Sequence, residues 1–371
     1  MLVSFILVAV ILLAYANGAN DNFKGTATLW GSGTLDYAKA LRLATVTTVA
    51  GALVSVLFAT SLVKNFSGKG LVPDTLAQSP VFLLSVALGA GLTVLLATRF
   101  GFPISTTHGL VGALVGAGLA GAAQAVNLSQ LGKTFFFPLV LSPVLALLAS
   151  VGIYFLFKRI KDVAQIKKES CLCLVHELPE MTQPNMTLAF THTNTAKIVA
   201  STEGCSDVYV GKVLGINAQN LLDMLHFTSA GIVCFARGLN DAPKMAGLLI
   251  AVSFFAPSVN ISILAVAMAI GGILQARKVA ETMSKNITPM NHGQGFSANL
   301  VTGVLVILAS TKGLPVSTTH VSVGSLIGIG LVNGKADYSQ IGKILLSWVL
   351  TLPIAGAISG LFYLIFNQFQ F

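Results

Sequence analysis

Long apolar stretches separated by short polar breaks dominate the chain. Residues 43–63, 80–98 and 136–157 are each long enough to cross a bilayer, since about 20 apolar residues in a helix span its hydrocarbon core. These runs are continuous rather than alternating, which excludes a transmembrane β-barrel. Five apolar segments are predicted near 1–30, 38–63, 80–98, 103–126 and 131–157, with five counterparts between 221 and 366. The first residues resemble a signal peptide with Ala14 and Ala16 at its exit. They are read as a retained helix, because 223–241 repeats the arrangement inside the chain. One substantial polar region interrupts the pattern at 158–220, opening with KRIKDVAQIKK, and is expected to be a small cytoplasmic α/β appendage or a loose linker.

Composition sharpens this picture. The 371 residues are 54% hydrophobic and 9% charged, whereas a soluble domain carries about 25% charged residues. The chain is therefore expected to be an all-α polytopic membrane protein. Its formal net charge of +9 needs no nucleic-acid partner, because cytoplasmic loops of membrane proteins collect Lys and Arg. The cysteines at 171, 173, 205 and 234 offer a lone C-x-C and no zinc-like spacing, and no cofactor is expected.

The chain also repeats itself. Asn20, Asp21 and Lys24 match Asn240, Asp241 and Lys244 at an offset of 220, and Gly51 matches Gly271. Ser105, Thr106, Thr107 and His108 match Ser317, Thr318, Thr319 and His320 at 212. SQLGK at 129–133 then matches SQIGK at 339–343. An odd number of crossings per repeat would invert the second relative to the first, and the charges alternate as inversion requires. Lys39 and Arg42 face neutral counterparts; Arg277, Lys278 and the KRIK at 158–161 also occur in one copy only. The expected organisation is a first repeat at 1–157, a cytoplasmic connection at 158–220 and a second, inverted repeat at 221–371, with both termini outside the plasma membrane.

The duplicated words carry the chemistry. In GFPISTTHG and GLPVSTTHV the proline disfavours helix before it and the hydroxyls favour a helix start. Each word thus offers unpaired backbone N–H groups, the positive end of a helix dipole and three hydroxyls: a ready anion site without a formal positive charge. Ser105, Thr106, Thr107, Ser317, Thr318 and Thr319 are the candidate tetrahedral-oxyanion ligands, with His108 and His320 supporting the turns. A plain helix cap is the competing explanation for each word taken alone.

In GAND and GLND an aspartate sits inside a membrane segment at a cost of about 2.5–3.5 kcal/mol. Broken helices are expected there, with carbonyls exposed beside a carboxylate, a ligand set that suits Na⁺ at Asn20, Asp21, Asn240 and Asp241. The competing explanation pairs each aspartate with Lys24 or Lys244, three residues on. An anion about 4 Å from an ionised aspartate is repelled by roughly 4 kcal/mol at an effective dielectric of 20, and a cation between them reverses that sign. This is the logic of symport, with about two or more Na⁺ per oxyanion, two being enough to neutralise one dianion. Importing a dianion against 100 mV costs about 4.6 kcal/mol. Glu281, beside Arg277 and Lys278, is the candidate for a further ion.

At these residues the chain resembles the inorganic phosphate transporter (Pit) family, whose members include sodium–phosphate symporters. The paired GANDxxN and PxSTTH motifs are matched in both halves, except that Lys24 and Lys244 stand where the family has Asn. The resemblance implies phosphate as substrate, two inverted repeats with broken or re-entrant helices meeting at a midplane site, and a homodimer. Within transport, a proton-coupled phosphate carrier or a sulfate permease of similar architecture would use the same parts. An anion channel is disfavoured by two carboxylates in its path. An intramembrane hydrolase built on Ser105, His108 and Asp21 is disfavoured because every candidate is duplicated.

Overall fold

The computed structural model describes residues 2–58, 60–170, 174–175, 197–198, 207–213, 215–252 and 255–369. The first half contains α1 (Leu2–Asp21), α2 (Ala27–Gly31), α3 (Tyr37–Phe58), α4 (Thr60–Asn65), α5 (Asp74–Ala77), α6 (Pro80–Arg99), α7 (Thr106–Ala122), α8 (Leu128–Gln130) and α9 (Phe137–Val163). The second contains α10 (Ala218–Ala246), α11 (Pro257–Gln275), α12 (Arg277–Glu281), α13 (His292–Thr311), α14 (Thr318–Asn333) and α15 (Tyr338–Gln368). Seven helical segments among the described residues are long and apolar enough to cross a membrane. The protein is a mostly helical polytopic membrane protein, the expected all-α class holding for the membrane-spanning part. Much of the 158–220 region lies outside the described residues, including Cys171, Cys173 and Cys205. Its described part holds short antiparallel strand pairs, Lys167–Ser170 with Asp207–Val210 and Lys212–Val213 with Ile216–Asn217.

Local chemistry sets the helix starts. Ser105 and Ser317 cap α7 and α14, each side chain accepting a 3.1 Å bond from the backbone N–H of His108 or His320. Asn291 and Gln294 form a reciprocal capping box at α13. Asp36 accepts from the Lys39 backbone N–H at 2.8 Å ahead of α3, and that bond holds its carboxyl below the usual range.

The halves exchange partners. α1 packs on α11 while α10 packs on α3, and α7 packs on α15 while α14 packs on α9. Glycines make these crossings close. A Cβ on Gly18 would lie 1.9 Å from the Met268 carbonyl oxygen, and one on Gly238 would lie 2.0 Å from that of Thr48. Gly51 against Phe235 and Gly271 against Tyr15 form a second such pair, at 1.9 and 2.0 Å. Both pairs keep the sequence offset of 220, so the repeat in the sequence is a repeat in contacts.

The two halves also run in opposite directions. α15, at 31 residues, is about 46 Å long. Its first turn joins the Ile287 carbonyl through the Asp337 N–H, close to His292, which touches Gln219 and Asp223 near the start of α10. Its other end brings Phe366 into the groove lined by Leu2 and Phe5 of α1. α1 and α10 therefore begin at opposite ends of the bundle. The basic residues follow. The Arg277 guanidinium lies 5.7 Å from the Tyr37 ring, and Phe157 stacks on Phe296, which gathers the Lys39, Arg277 and KRIK segments at the end where α10 starts.

Each half contributes a helical hairpin. α14 returns to the end where α13 began, since Asn333 bonds the Pro289 carbonyl at 3.0 Å. α7 likewise returns beside the segment before α6, where Asn127 N–H meets the Leu71 carbonyl at 2.8 Å. The hairpin tips meet, with the His108 and His320 rings 4.3 Å apart.

One expectation is half corrected. α1 ends at Asp21 and a turn precedes α2, so the first GAND helix is broken. α10 runs unbroken through Asn240 and Asp241 to Ala246, with Pro243 inside it. A proline removes one backbone donor, and neighbouring packing absorbs that loss.

Gly18→Val and Gly238→Val are each expected to destabilise the folded protein by about 1–3 kcal/mol through overpacking. Thermal unfolding in detergent measures this; unchanged melting would show that the crossings can open without cost.

Candidate functional site

The conserved-order words converge on one buried cluster. Asn17, Asn20, Asp21, Lys24, Arg237, Asn240, Asp241 and Lys244 are all at most 4% exposed. α1 and α10 bring these residues in from opposite ends, and the hairpin tips before α7 and α14 close over them. Asp21 pairs with Lys24, and its second oxygen accepts from Asn17 at 3.0 Å and Thr106 at 3.1 Å. Lys24 Nζ also donates to Asn20 Oδ1 at 3.0 Å, to the Ile104 carbonyl at 2.8 Å and to Thr319 Oγ1 at 2.5 Å. In the second half, Lys244 Nζ donates to Asp241 Oδ1 at 3.3 Å, the Val316 carbonyl at 2.7 Å and Thr107 Oγ1 at 2.8 Å. Each lysine thus holds its own aspartate, the carbonyl at its own hairpin tip and a threonine from the other half.

Asn17 ties the two carboxylates together, its Nδ2 lying 3.0 Å from Asp21 Oδ2 and 3.2 Å from Asp241 Oδ2. Its Oδ1 accepts from Arg237 Nη2 at 2.8 Å. Arg237 Nη1 reaches Asn22 at 3.2 Å and Thr48 at 3.1 Å, and Nε lies 3.6 Å from Asp241, too long for a hydrogen bond. Arg237 is 1% exposed. Three formal cations therefore face two carboxylates, leaving one positive charge in excess. The hydroxyls, expected to offer an anion site that needs no formal positive charge, share the cluster with two lysines and an arginine.

Sequence reasoning missed Asn17 and Arg237. They sit at the repeat offset of 220, so they are equivalent positions with different residues, and they bond to each other across the pseudo-symmetry. A search for matched words passes over a position within the cluster where the copies differ in charge.

The six hydroxyls divide by role. Ser105 and Ser317 cap their own helices, as a plain N-cap would. Thr106, Thr107 and Thr319 contact the charged cluster, and Thr318 is buried beside them. His108 and His320 pack edge to face behind the tips. His320 stacks on Trp348 at 3.8 Å and holds the Leu139 carbonyl at 3.2 Å, which is a positioning arrangement. Asp21 bonds Lys24, Thr106 and Asn17, so no Ser105–His108–Asp21 relay forms. Glu281 is not part of the cluster: it is half exposed and pairs with Arg277 at 3.3 Å.

The sequence profile of the phosphate transporter family matches residues 17–359. The chain belongs to that family. Among its relatives, a Pyrococcus abyssi protein named as a phosphate permease is 27% identical over 401 residues, covering 96% of each chain. A Bacillus subtilis protein named as a low-affinity inorganic phosphate transporter is 27% identical over 374 residues, covering 99% of this chain and 98% of its own. The solved structure of a sodium-dependent phosphate transporter shares the fold with a TM-score of 0.76 at 22% identity, covering 99% of each chain. Membership of this family makes the protein a transporter rather than an enzyme.

Asp21→Asn leaves the Lys24 ammonium buried without its ion partner and is expected to destabilise by about 3–5 kcal/mol. The double change Asp21→Asn with Lys24→Met should recover most of that loss in thermal unfolding; no recovery would break the pairing argument. Ser105→Ala should cost about 0.5–2 kcal/mol of stability as a lost cap and leave the substrate KM unchanged. Thr106→Ala should raise KM, and the reverse pattern would reassign the two hydroxyls.

Proposed function

We propose that the chain is a secondary active symporter that brings inorganic phosphate across the plasma membrane. The cluster at Asp21 and Asp241 would serve as the substrate and coupling site between two inverted repeats. The observation that carries this is the buried excess of positive charge, Lys24, Lys244 and Arg237 against two carboxylates, at the meeting of two helix N-termini in a phosphate transporter family member. Oxyanions bind where unpaired backbone N–H groups and guanidinium or ammonium donors converge. Thr106, Thr107, Thr318 and Thr319 are the proposed phosphate-contacting hydroxyls, with Ser105 and Ser317 shaping the tips. The oppositely directed halves support inverted topology, with both termini outside and 158–220 in the cytoplasm.

The coupling cation has two readings. Sodium coupling, at about two or more ions per phosphate, is supported by the carboxylate, amide and carbonyl oxygens around Asp21 and Asp241. A shared fold with a sodium-dependent phosphate transporter agrees with it. Proton coupling in the same architecture is favoured by a different observation: both carboxylates already face a lysine ammonium. A homodimer, implied by the family resemblance, belongs to the same proposal.

Purified protein in vesicles is expected to accumulate radiolabelled phosphate under an inward sodium or proton gradient, with sulfate failing to compete. No accumulation under either gradient would overturn symport. Competition by sulfate would move the assignment to a broader oxyanion carrier.

A further inference from the structure

The surroundings of the two lysines are those of a bound metal cation rather than of an ordinary ion pair. Lys24 Nζ sits among a carboxylate oxygen of Asp21, the amide oxygen of Asn20 at 3.0 Å, the main-chain oxygen of Ile104 at 2.8 Å and the hydroxyl of Thr319 at 2.5 Å. Carboxylate, amide, carbonyl and hydroxyl oxygens converging on one point are the donor set that a small hard cation selects. Lys244 Nζ occupies the equivalent point, against Asp241 Oδ1 at 3.3 Å, the Val316 carbonyl at 2.7 Å and Thr107 Oγ1 at 2.8 Å. Both ammoniums are nearly inaccessible, at 2% and 1% exposure.

The roles match as well as the ligands. Each ammonium bridges the aspartate helix of its own half, the hairpin tip of its own half and the hairpin of the other half. An ion bound there would make the same three links. Thr319 accepts from Lys24 and donates onward to the Ile104 carbonyl at 2.8 Å, so its hydroxyl lone pairs point at the cation. Thr107 stands in the same relation to Lys244 and the Val316 carbonyl, at 2.8 and 3.4 Å.

Charge leaves no room for a second cation at either point. Asp21 and Asp241 are the buried carboxylates among the residues whose burial is described. A sodium ion entering beside either lysine would meet a like charge at hydrogen-bond distance, with no further carboxylate to offset it. Among the described residues no group of three His, Cys, Asp or Glu side chains could hold a metal ion.

We propose that the ammonium groups of Lys24 and Lys244 are tethered cations that permanently fill the two cation sites of the carrier, so that phosphate binds and crosses without sodium. This rests on the transport reading above and decides between its two coupling cations. The sodium ions that would arrive and leave with substrate are thus replaced by part of the chain, each lysine pairing with its aspartate, and the coupling cation of that reading is the proton. Arg237, whose Nε lies 3.6 Å from the Asp241 carboxylate that already pairs with Lys244, then carries the excess charge available to the anion.

The test is exchange of labelled phosphate in vesicles loaded with unlabelled phosphate, which needs no ion gradient. With sodium, potassium or choline as the cation on both sides, rates for the unaltered protein are expected to agree within about twofold. A fall of about tenfold when sodium is withdrawn, equivalent to about 1.4 kcal/mol, would overturn the proposal. The double variant Lys24→Asn with Lys244→Asn removes both ammoniums and restores an amide oxygen at each point. It is expected to lose exchange in choline and regain it in sodium; exchange in choline at the unaltered rate would overturn the proposal. Binding of labelled sodium to the unaltered protein, read with and without phosphate, does not depend on the variant folding. Stoichiometric sodium binding there would also overturn it. No exchange with any cation would overturn the transport reading itself, and this inference with it.

Discussion

The structure depends on the pairing of Asp21 with Lys24 and of Asp241 with Lys244 inside an apolar bundle. An ionised group placed alone in such surroundings costs several kcal/mol after relaxation, and removing one member of a buried pair leaves that cost exposed. Five formal charges persist here because each has opposite-charge or hydrogen-bond partners within reach. The lysine stems supply the length: three residues beyond its aspartate, each can return to the carboxylate and still reach the opposite hairpin. Folding of the halves and closure of the cluster are therefore one event. Neither half alone satisfies its own lysine, because Thr319 and Thr107 come from the other half.

Glycine makes that geometry attainable. Where α1 crosses α11 and α10 crosses α3, the backbone approach at Gly18 and Gly238 leaves no space for a side chain. Both glycines lie two residues before the Asn–Asp words, so the crossings fix the depth and rotation at which the carboxylates arrive. Small residues at such crossings let helices in lipid approach closely enough for dispersion to hold them. Packing and chemistry share one short stretch of sequence, and this is why Gly-x-Asn-Asp reads as one word.

Much of this was legible in the sequence, for identifiable reasons. The apolar runs gave the helices because a bilayer demands about 20 apolar residues per crossing. The four words were found through duplication, and the hairpin tips through the helix-start chemistry of Pro103 and Ser105 and of Pro315 and Ser317. The pairing of Asp with Lys at three residues was visible as a competing explanation, and it describes the structure. Three features were not legible. Arg237 aligns with Asn17, so a method that looks for sameness passes over the charge that differs. The continuity of α10 through Pro243 depends on tertiary packing that local rules do not include. Glu281 drew interest through its sequence neighbours, and only the folded chain shows it pairing with Arg277 at the bundle end.

The difference between Asn17 and Arg237 bears on how a carrier of this design could work. If two inverted halves were identical, the states open to either side would be related by symmetry and would have equal free energies. A population bias then needs a feature that the two-fold does not preserve. This chain has such features at the cluster itself. Arg237 stands on α10 where α1 has an asparagine, and α1 breaks after Asp21 where α10 continues past Asp241. Asn20 turns its amide oxygen to Lys24, whereas that of Asn240 accepts from Ser310 at 3.2 Å. The symmetric parts, the lysines, the aspartates, Thr107 and Thr319, make the same contacts in both halves. The asymmetric parts sit within hydrogen-bond reach of them, where a change of one contact acts directly on the balance between states.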